Sequence, residues 1–130
     1  MIPGTGRNHP TFKRSFLFAL QGFRTAVATE RNIRFMLGGA AFAVVMGLLL
    51  RIDALSWACV IICCGCVLST ELINTAIETV VDLVSPEFHP LAGRAKDVAA
   101  AASWTVSIMA VIIAAIVYIR ALLVLLGVIT

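Results

Sequence analysis

The chain has 130 residues, 61% of them apolar and only 13% charged, with a formal net charge of +3 at pH 7. Ordinary soluble domains run at about 45–50% apolar and roughly 25% charged, so a soluble domain is excluded. An apolar run that crosses a bilayer needs about 20 residues; the chain has room for three such runs, and no nucleic-acid partner is expected.

Residues 1–10 (MIPGTGRNHP) are rich in Gly and Pro and read as a disordered N-terminus. Everything from 11 to 130 reads as one membrane-embedded domain. From about 11 to 30 the pattern becomes helical: Phe12, Phe16, Leu20, Phe23 and Val27 form one stripe, with Arg14 and Gln21 opposite and Lys13 and Arg24 on its shoulder. That layout suits a helix lying in the membrane interface with cations near the headgroups; the alternative is an ordinary amphipathic helix packed on protein. The polar stretch TERNIR (29–34) leads into a first span over about 33–50, and Arg51 and Asp53 mark a turn. The first long apolar run begins near Phe35, too late for a secretory signal. A second span covers about 54–84 and holds Cys59, Cys63, Cys64 and Cys66. Cysteines within one membrane helix suit packing; the CxxC of Cys63 and Cys66 has no nearby His to complete a zinc site. SPEFHPLAGRAKD (85–97) reads as a loop whose prolines and glycine stop the helix, and a third span follows over about 97–120. The tail after Arg120 reads as a frayed or tilted extension.

Loop charge orients these spans. Arg7, Lys13, Arg14, Arg24, Arg31 and Arg34 precede the first span, and Arg94 and Lys96 lie between the second and third; only Arg51 and Arg120 fall on the other side. Eight cations against two place the N-terminus and the 85–97 loop in the cytoplasm. The expected fold is therefore an all-α membrane protein, a surface helix plus three transmembrane helices. Three helices make a thin bundle, so self-association is expected if polar groups need an enclosed site.

Such polar groups exist. STELINTAIETVVD (69–82), in the cytoplasmic half of the second span, carries Glu71, Asn74, Glu78 and Asp82. At about 100° per residue these four fall on one face, a ribbon about 16 Å long, while Leu72, Ile73, Ile77, Val80 and Leu83 cover the other. An ionised side chain at the centre of a membrane helix costs about 2.5–3.5 kcal/mol on insertion scales, and such residues normally face a cavity or a partner. The bland alternative is an ion-paired packing seam. Two further clusters lie at the same depth: Glu30, Asn32 and Arg34 before the first span, and Arg94, Lys96 and Asp97 before the third. Carboxylates beside Lys and Arg suit a magnesium-bound polyphosphate. Glu71, the deepest acid, is placed to accept a proton from a lipid hydroxyl. His89 suits either a solvated loop histidine or a nucleotide contact. No GxxxxGK[ST], GxGxxG or HExxH occurs, so ATP here would not use a common nucleotide fold.

ELINTAIETVVD (71–82), followed after a short loop by KDVAAAA (96–102), closely resembles the small prokaryotic diacylglycerol kinase family, whose relatives include the undecaprenol kinases of Gram-positive bacteria. The similarity runs from about Ala19 to Ala102 through ALQGFRTA (19–26), ERNIR (30–34) and EFHPLAGRAKD (87–97). The resemblance implies a homotrimer of the bacterial cytoplasmic (inner) membrane that transfers the γ-phosphoryl group of ATP to a lipid alcohol, at sites shared between subunits. By position, it implies that Glu71 is the catalytic base, with Asn74 beside it. It implies Glu30 and Glu78 as ligands of the Mg2+ bound with ATP, and Glu87, His89, Lys96 and Asp97 as nucleotide contacts. Asp82, Arg24 and Arg34 are implied as supporting or substrate residues. Thr11 and Phe18 stand where some relatives carry an arginine and a tyrosine near the nucleotide, with Arg14 a substitute for the first; Met36 stands where many Gram-positive relatives carry a histidine. Diacylglycerol and undecaprenol both remain open as substrates: ERN leans toward the Gram-positive pattern and EFHPLAGRAKD toward the Gram-negative one. The rival from another class is a small oligomeric ion or proton pathway lined by the acidic ribbon.

Overall fold

A computed structural model describes residues 11–129; the expectation of a disordered segment over 1–10 lies outside the described residues. Four helices follow one another: α1 (Phe12–Thr29), α2 (Arg31–Leu49), α3 (Ala54–Val84) and α4 (Pro90–Leu125). The last three are each long and apolar enough to cross a membrane.

The junction of α1 and α2 is a single residue. Glu30 is extended (φ −97°, ψ 118°) and serves as C-cap of one helix and N-cap of the next. Its own N–H donates to the Ala26 carbonyl at 2.8 Å. The Arg34 guanidinium then donates to the carbonyls of Val27 (3.1 Å) and Ala28 (3.0 Å). Carbonyls at a helix C-terminus lack intrahelical donors, and a cation there also complements the macrodipole. Ala26 and the fully buried Ile33 pack at this corner.

α2 ends in a Schellman arrangement: the Ile52 N–H donates to the Gly47 carbonyl and the Arg51 N–H to the Leu48 carbonyl. Arg51 takes the left-handed position, at φ 52°, that this ending demands. Glycine is essential one turn back for a different reason. A Cβ on Gly47 would sit 2.8 Å from Trp57 and 3.1 Å from Ile52, so α2 and the start of α3 approach through the missing side chain. Asp53 caps α3: its carboxylate accepts from the Ser56 amide (3.0 Å) and hydroxyl (2.9 Å). The Ser56 amide, foremost, holds the Asp53 carboxyl below its ordinary pKa.

α3 stops at Ser85, and α4 begins earlier than the sequence suggests. Expected as a loop to residue 97, the connection spans only 85–89, and Pro90 opens α4. Proline fits the first helical turn because its missing N–H has no partner there anyway. His89 Nδ1 accepts from the Leu91 amide at 3.2 Å and caps the start. The far end also departs from expectation. Instead of fraying after Arg120, α4 runs to Leu125 and closes in a second Schellman arrangement, with Gly127 at φ 69° and the Val128 N–H donating to the Leu123 carbonyl.

With so short a connection, α3 and α4 form an antiparallel hairpin, the most extensive packing in the molecule. Small buried residues on α4, Ala99 and Ser103, let the two backbones approach. α2 leans on this hairpin and is tied to α4 by the Tyr118 hydroxyl, which donates to the Ala43 carbonyl at 2.7 Å. Among the described residues only Ala26, Ile33, Ile52, Val60 and Ala99 form a buried apolar core, whereas Phe35, Phe42, Ile61, Ile62, Trp104 and Val111 are all more than half exposed. In water such faces would be untenable; in a bilayer, lipid or neighbouring chains cover them.

Candidate active site at the polar end of the hairpin

Helix rise places the polar ribbon of α3 relative to the bilayer. A hydrocarbon layer about 30 Å thick, entered at Ala54, ends roughly 20 residues later, close to Ile73. Glu71 and Asn74 straddle that boundary, and Glu78 and Asp82 lie beyond it. Burial follows the opposite gradient. Glu71 is 5% exposed and Asn74 7%, Glu78 is half-buried, and the Asp82 side chain is 66% exposed. The polar groups that would cost most in lipid, Glu71 and Asn74, are thus the ones enclosed by protein.

Each ribbon member has a defined environment. Glu71 Oε2 accepts a 2.6 Å hydrogen bond from the Ser103 hydroxyl on α4. Asn74 Nδ2 donates to Glu78 Oε1 at 3.1 Å, one turn along the same helix. Asn74 Oδ1 is buried with no hydrogen-bond partner, alone in this among the described residues. A buried acceptor left without a donor is costly. Further out, the Lys96 ammonium donates to Asp82 Oδ1 and closes the hairpin at its polar end.

Glu30 reaches the same neighbourhood from the α1–α2 junction. An open cleft of about 770 Å3 between α1 and α3 counts Glu30, Thr25, Thr29, Thr75 and Thr79 among its lining residues. Glu78, adjacent to Thr79 in sequence, engages Asn74 instead. Among the described residues no three His, Cys, Asp or Glu side chains converge on a common metal position. A cation carried in on phosphate would not require such a cluster. Mg2+ retains water and binds through one or two carboxylates plus substrate phosphates, where calcium would demand six to eight protein and water oxygens. Two carboxylates and an unpartnered amide oxygen are donors of the right hardness.

The remaining residues singled out in the sequence are distributed unevenly. Glu87 is exposed in the 85–89 connection, while His89, also exposed, caps α4 through Nδ1 alone. Asp97 and Arg24 are exposed on α4 and α1. Arg34 is occupied by the α1 carbonyls. Glu71, Asn74, Glu78, Asp82 and Lys96 thus lie along one polar row, while Glu87, Asp97 and Arg24 face outward. Sequence reasoning missed Ser103. Its signal was present as the hydroxyl closing the run AAAAS (99–103) in an apolar span, but only the register of α3 against α4 shows that it meets Glu71.

Residues 17–118 match the family described as prokaryotic diacylglycerol kinase. The undecaprenol kinase of Bacillus subtilis (strain 168) is 36% identical over 107 residues, 82% of this chain and 87% of that protein. The diacylglycerol kinase of Helicobacter pylori (strain J99) is 37% identical over 101 residues, covering 78% of this chain and 79% of the relative. That of Escherichia coli (strain K12) is also 37% identical, over 95 residues, 73% of this chain and 78% of the relative. The matched region contains all four polar residues of the α3 ribbon, Lys96 and Ser103, and with most of its length so matched the chain belongs to the prokaryotic diacylglycerol kinase family.

Proposed function

We propose that this protein transfers the γ-phosphoryl group of Mg-ATP to the hydroxyl of a membrane lipid alcohol, either diacylglycerol or undecaprenol. The reaction would take place at the cytoplasmic face of the bacterial inner membrane. One observation carries the reading: a carboxylate, Glu71, is enclosed at the lipid boundary and held by Ser103, at the deep end of a polar row that reaches a lysine at the surface. A base is needed where the lipid hydroxyl resides, and a cation where the nucleotide arrives.

In this reading Glu71 takes the proton of the lipid hydroxyl as its oxygen attacks the γ-phosphorus. The bond to the β–γ bridging oxygen breaks and ADP leaves. Glu30 and Glu78 hold the magnesium, which when bound neutralises charge on the phosphate oxygens. Asn74, hydrogen-bonded to Glu78, sets the distance between base and metal ligands. Lys96 leaves Asp82 to meet phosphate, while Asp97, Glu87 and His89 contact the nucleotide and Arg24 and Arg34 support the interfacial corner. Positioning and electrostatic stabilisation supply most of the rate enhancement in such transfers.

α1 is proposed to lie in the interface, since Phe12 and Phe16 are exposed along one side of it. The excess of Lys and Arg around α1 and the 85–89 connection supports a cytoplasmic site. A homotrimer is supported by the outward-facing Glu87 and Asp97 and by the bare apolar faces, which a second copy would cover. The ion-pathway reading finds no support in relatives named as kinases. Similar identity to an undecaprenol kinase and to diacylglycerol kinases leaves the lipid to experiment. Purified protein in mixed micelles with Mg-ATP and each lipid alcohol, assayed side by side, should phosphorylate at least one. Turnover on neither sinks the proposal, and the ratio of the two kcat/KM values names the substrate.

A further inference from the structure

Five hydroxyl side chains inside these helices share one habit. Thr29, Thr70, Thr79, Thr105 and Ser107 each donate to the carbonyl four residues earlier on their own helix. This local bond is what a serine or threonine in a helix in lipid uses to satisfy its proton. Ser103 breaks the habit. Its hydroxyl crosses to α3 and donates to Glu71 Oε2 at 2.6 Å, across 32 residues of sequence. That length is at the short end for a hydroxyl donor. Ser103 and Glu71 are 4% and 5% exposed, so water has little room to replace the donor. Ser103 is itself anchored, because its carbonyl accepts the Ser107 hydroxyl at 3.0 Å.

We propose that Ser103 is a positioning residue for the phosphoryl transfer: it occupies Oε2 of Glu71, fixes the rotation of the carboxylate and leaves Oε1 as the oxygen that meets the lipid hydroxyl. This rests on the reading of Glu71 as the base. Without the bond, a glutamate side chain with three rotatable torsions would sample orientations in which neither oxygen is aimed. An engaged donor on Oε2 also keeps that oxygen from competing for the substrate proton.

The test compares Ser103→Ala, Ser103→Cys and Ser103→Thr in the full chain, purified in mixed micelles with Mg-ATP and the better lipid alcohol. Cysteine preserves the packed volume but donates only weakly, whereas threonine keeps the hydroxyl. The Ala and Cys variants are expected to lose roughly 10- to 100-fold in kcat, the scale of a hydrogen bond to a charged group. Both KM values should stay within about twofold of wild type, as befits a bond that acts on the transition state alone. Threonine is expected to restore kcat to within about threefold of wild type. In a Glu71→Gln background, adding Ser103→Ala should change nothing further, because the oriented group is already gone. Wild-type kcat in Ser103→Cys would show a packing role and overturn the proposal, as would loss confined to KM or a threonine variant as impaired as alanine. In each of those cases an inactive Glu71→Gln leaves the base reading standing. Near-normal turnover in Glu71→Gln would instead remove the base reading and this proposal together.

Discussion

At the Asp53 end of the bundle, Asp53, Arg120 and Tyr118 have local structural roles. Asp53 caps its own helix through Ser56, Arg120 stands 3.9 Å from Asp53, and Tyr118 satisfies its hydroxyl on the Ala43 carbonyl. At the Asp82 end the polar atoms exceed what structure needs. Two of them, in Glu71 and Asn74, are buried, and one amide oxygen has no partner at all. Polar groups at this depth are expensive. Where they only stabilise, they are few and fully paired. Where they are several and incompletely paired, their remaining capacity is directed at something that binds. The two ends thus separate a structural economy from a chemical one within a single pair of helices.

The sharpest way to break this contrast is Glu71→Gln. Loss of a general base should lower kcat by about 10^2- to 10^4-fold while Mg-ATP binding stays within about twofold. Equal loss of nucleotide binding and turnover would contradict the role. Glu78→Gln comes next. It keeps an acceptor for Asn74 Nδ2 but removes a charged magnesium ligand, so the KM for Mg-ATP should rise at least about tenfold. Titration with magnesium at fixed ATP would reveal the defect as a shifted midpoint, and an unshifted midpoint would sever Glu78 from the metal.

Substitutions at the other end should leave chemistry intact and alter only stability. Gly47→Ala forces a methyl group against the Trp57 ring and should cost about 1–3 kcal/mol as overpacking. A lower thermal midpoint in detergent, with kcat per folded molecule unchanged, is the expected pair of readings; a catalytic defect without a stability defect would blur the division. Tyr118→Phe is expected to be the mildest change, about 0.5–1.5 kcal/mol for one hydrogen bond. A drop in kcat comparable to that of Glu71→Gln would show that the Asp53 end participates in catalysis after all.

Much of this molecule was legible before any coordinates. The three membrane-spanning helices follow from apolar runs whose length only a bilayer explains, and the start of α3 at Ala54 agrees with the turn marked by Arg51 and Asp53. Less legible were the limits of α4. Pro90 and Gly93 are ordinarily breakers, yet the first turn of a helix tolerates both, and Gly127 rather than Arg120 provides the left-handed stop. The four ribbon residues could be named from helical periodicity alone, because residues spaced at three, four and seven share a face whatever surrounds them.

What the sequence determined by itself, then, was periodic: helices, spans, and one face of α3 bearing Glu71, Asn74, Glu78 and Asp82. Partners between helices were decided only by tertiary structure. Lys96 closing on Asp82, Arg34 turning back to the α1 carbonyls, and Ser103 crossing to Glu71 all depend on the register of one helix against another. Register is set by small buried residues such as Gly47 and Ala99, which choose where two backbones can approach. That choice is a packing energy summed over the whole interface, and no single stretch of chain contains it.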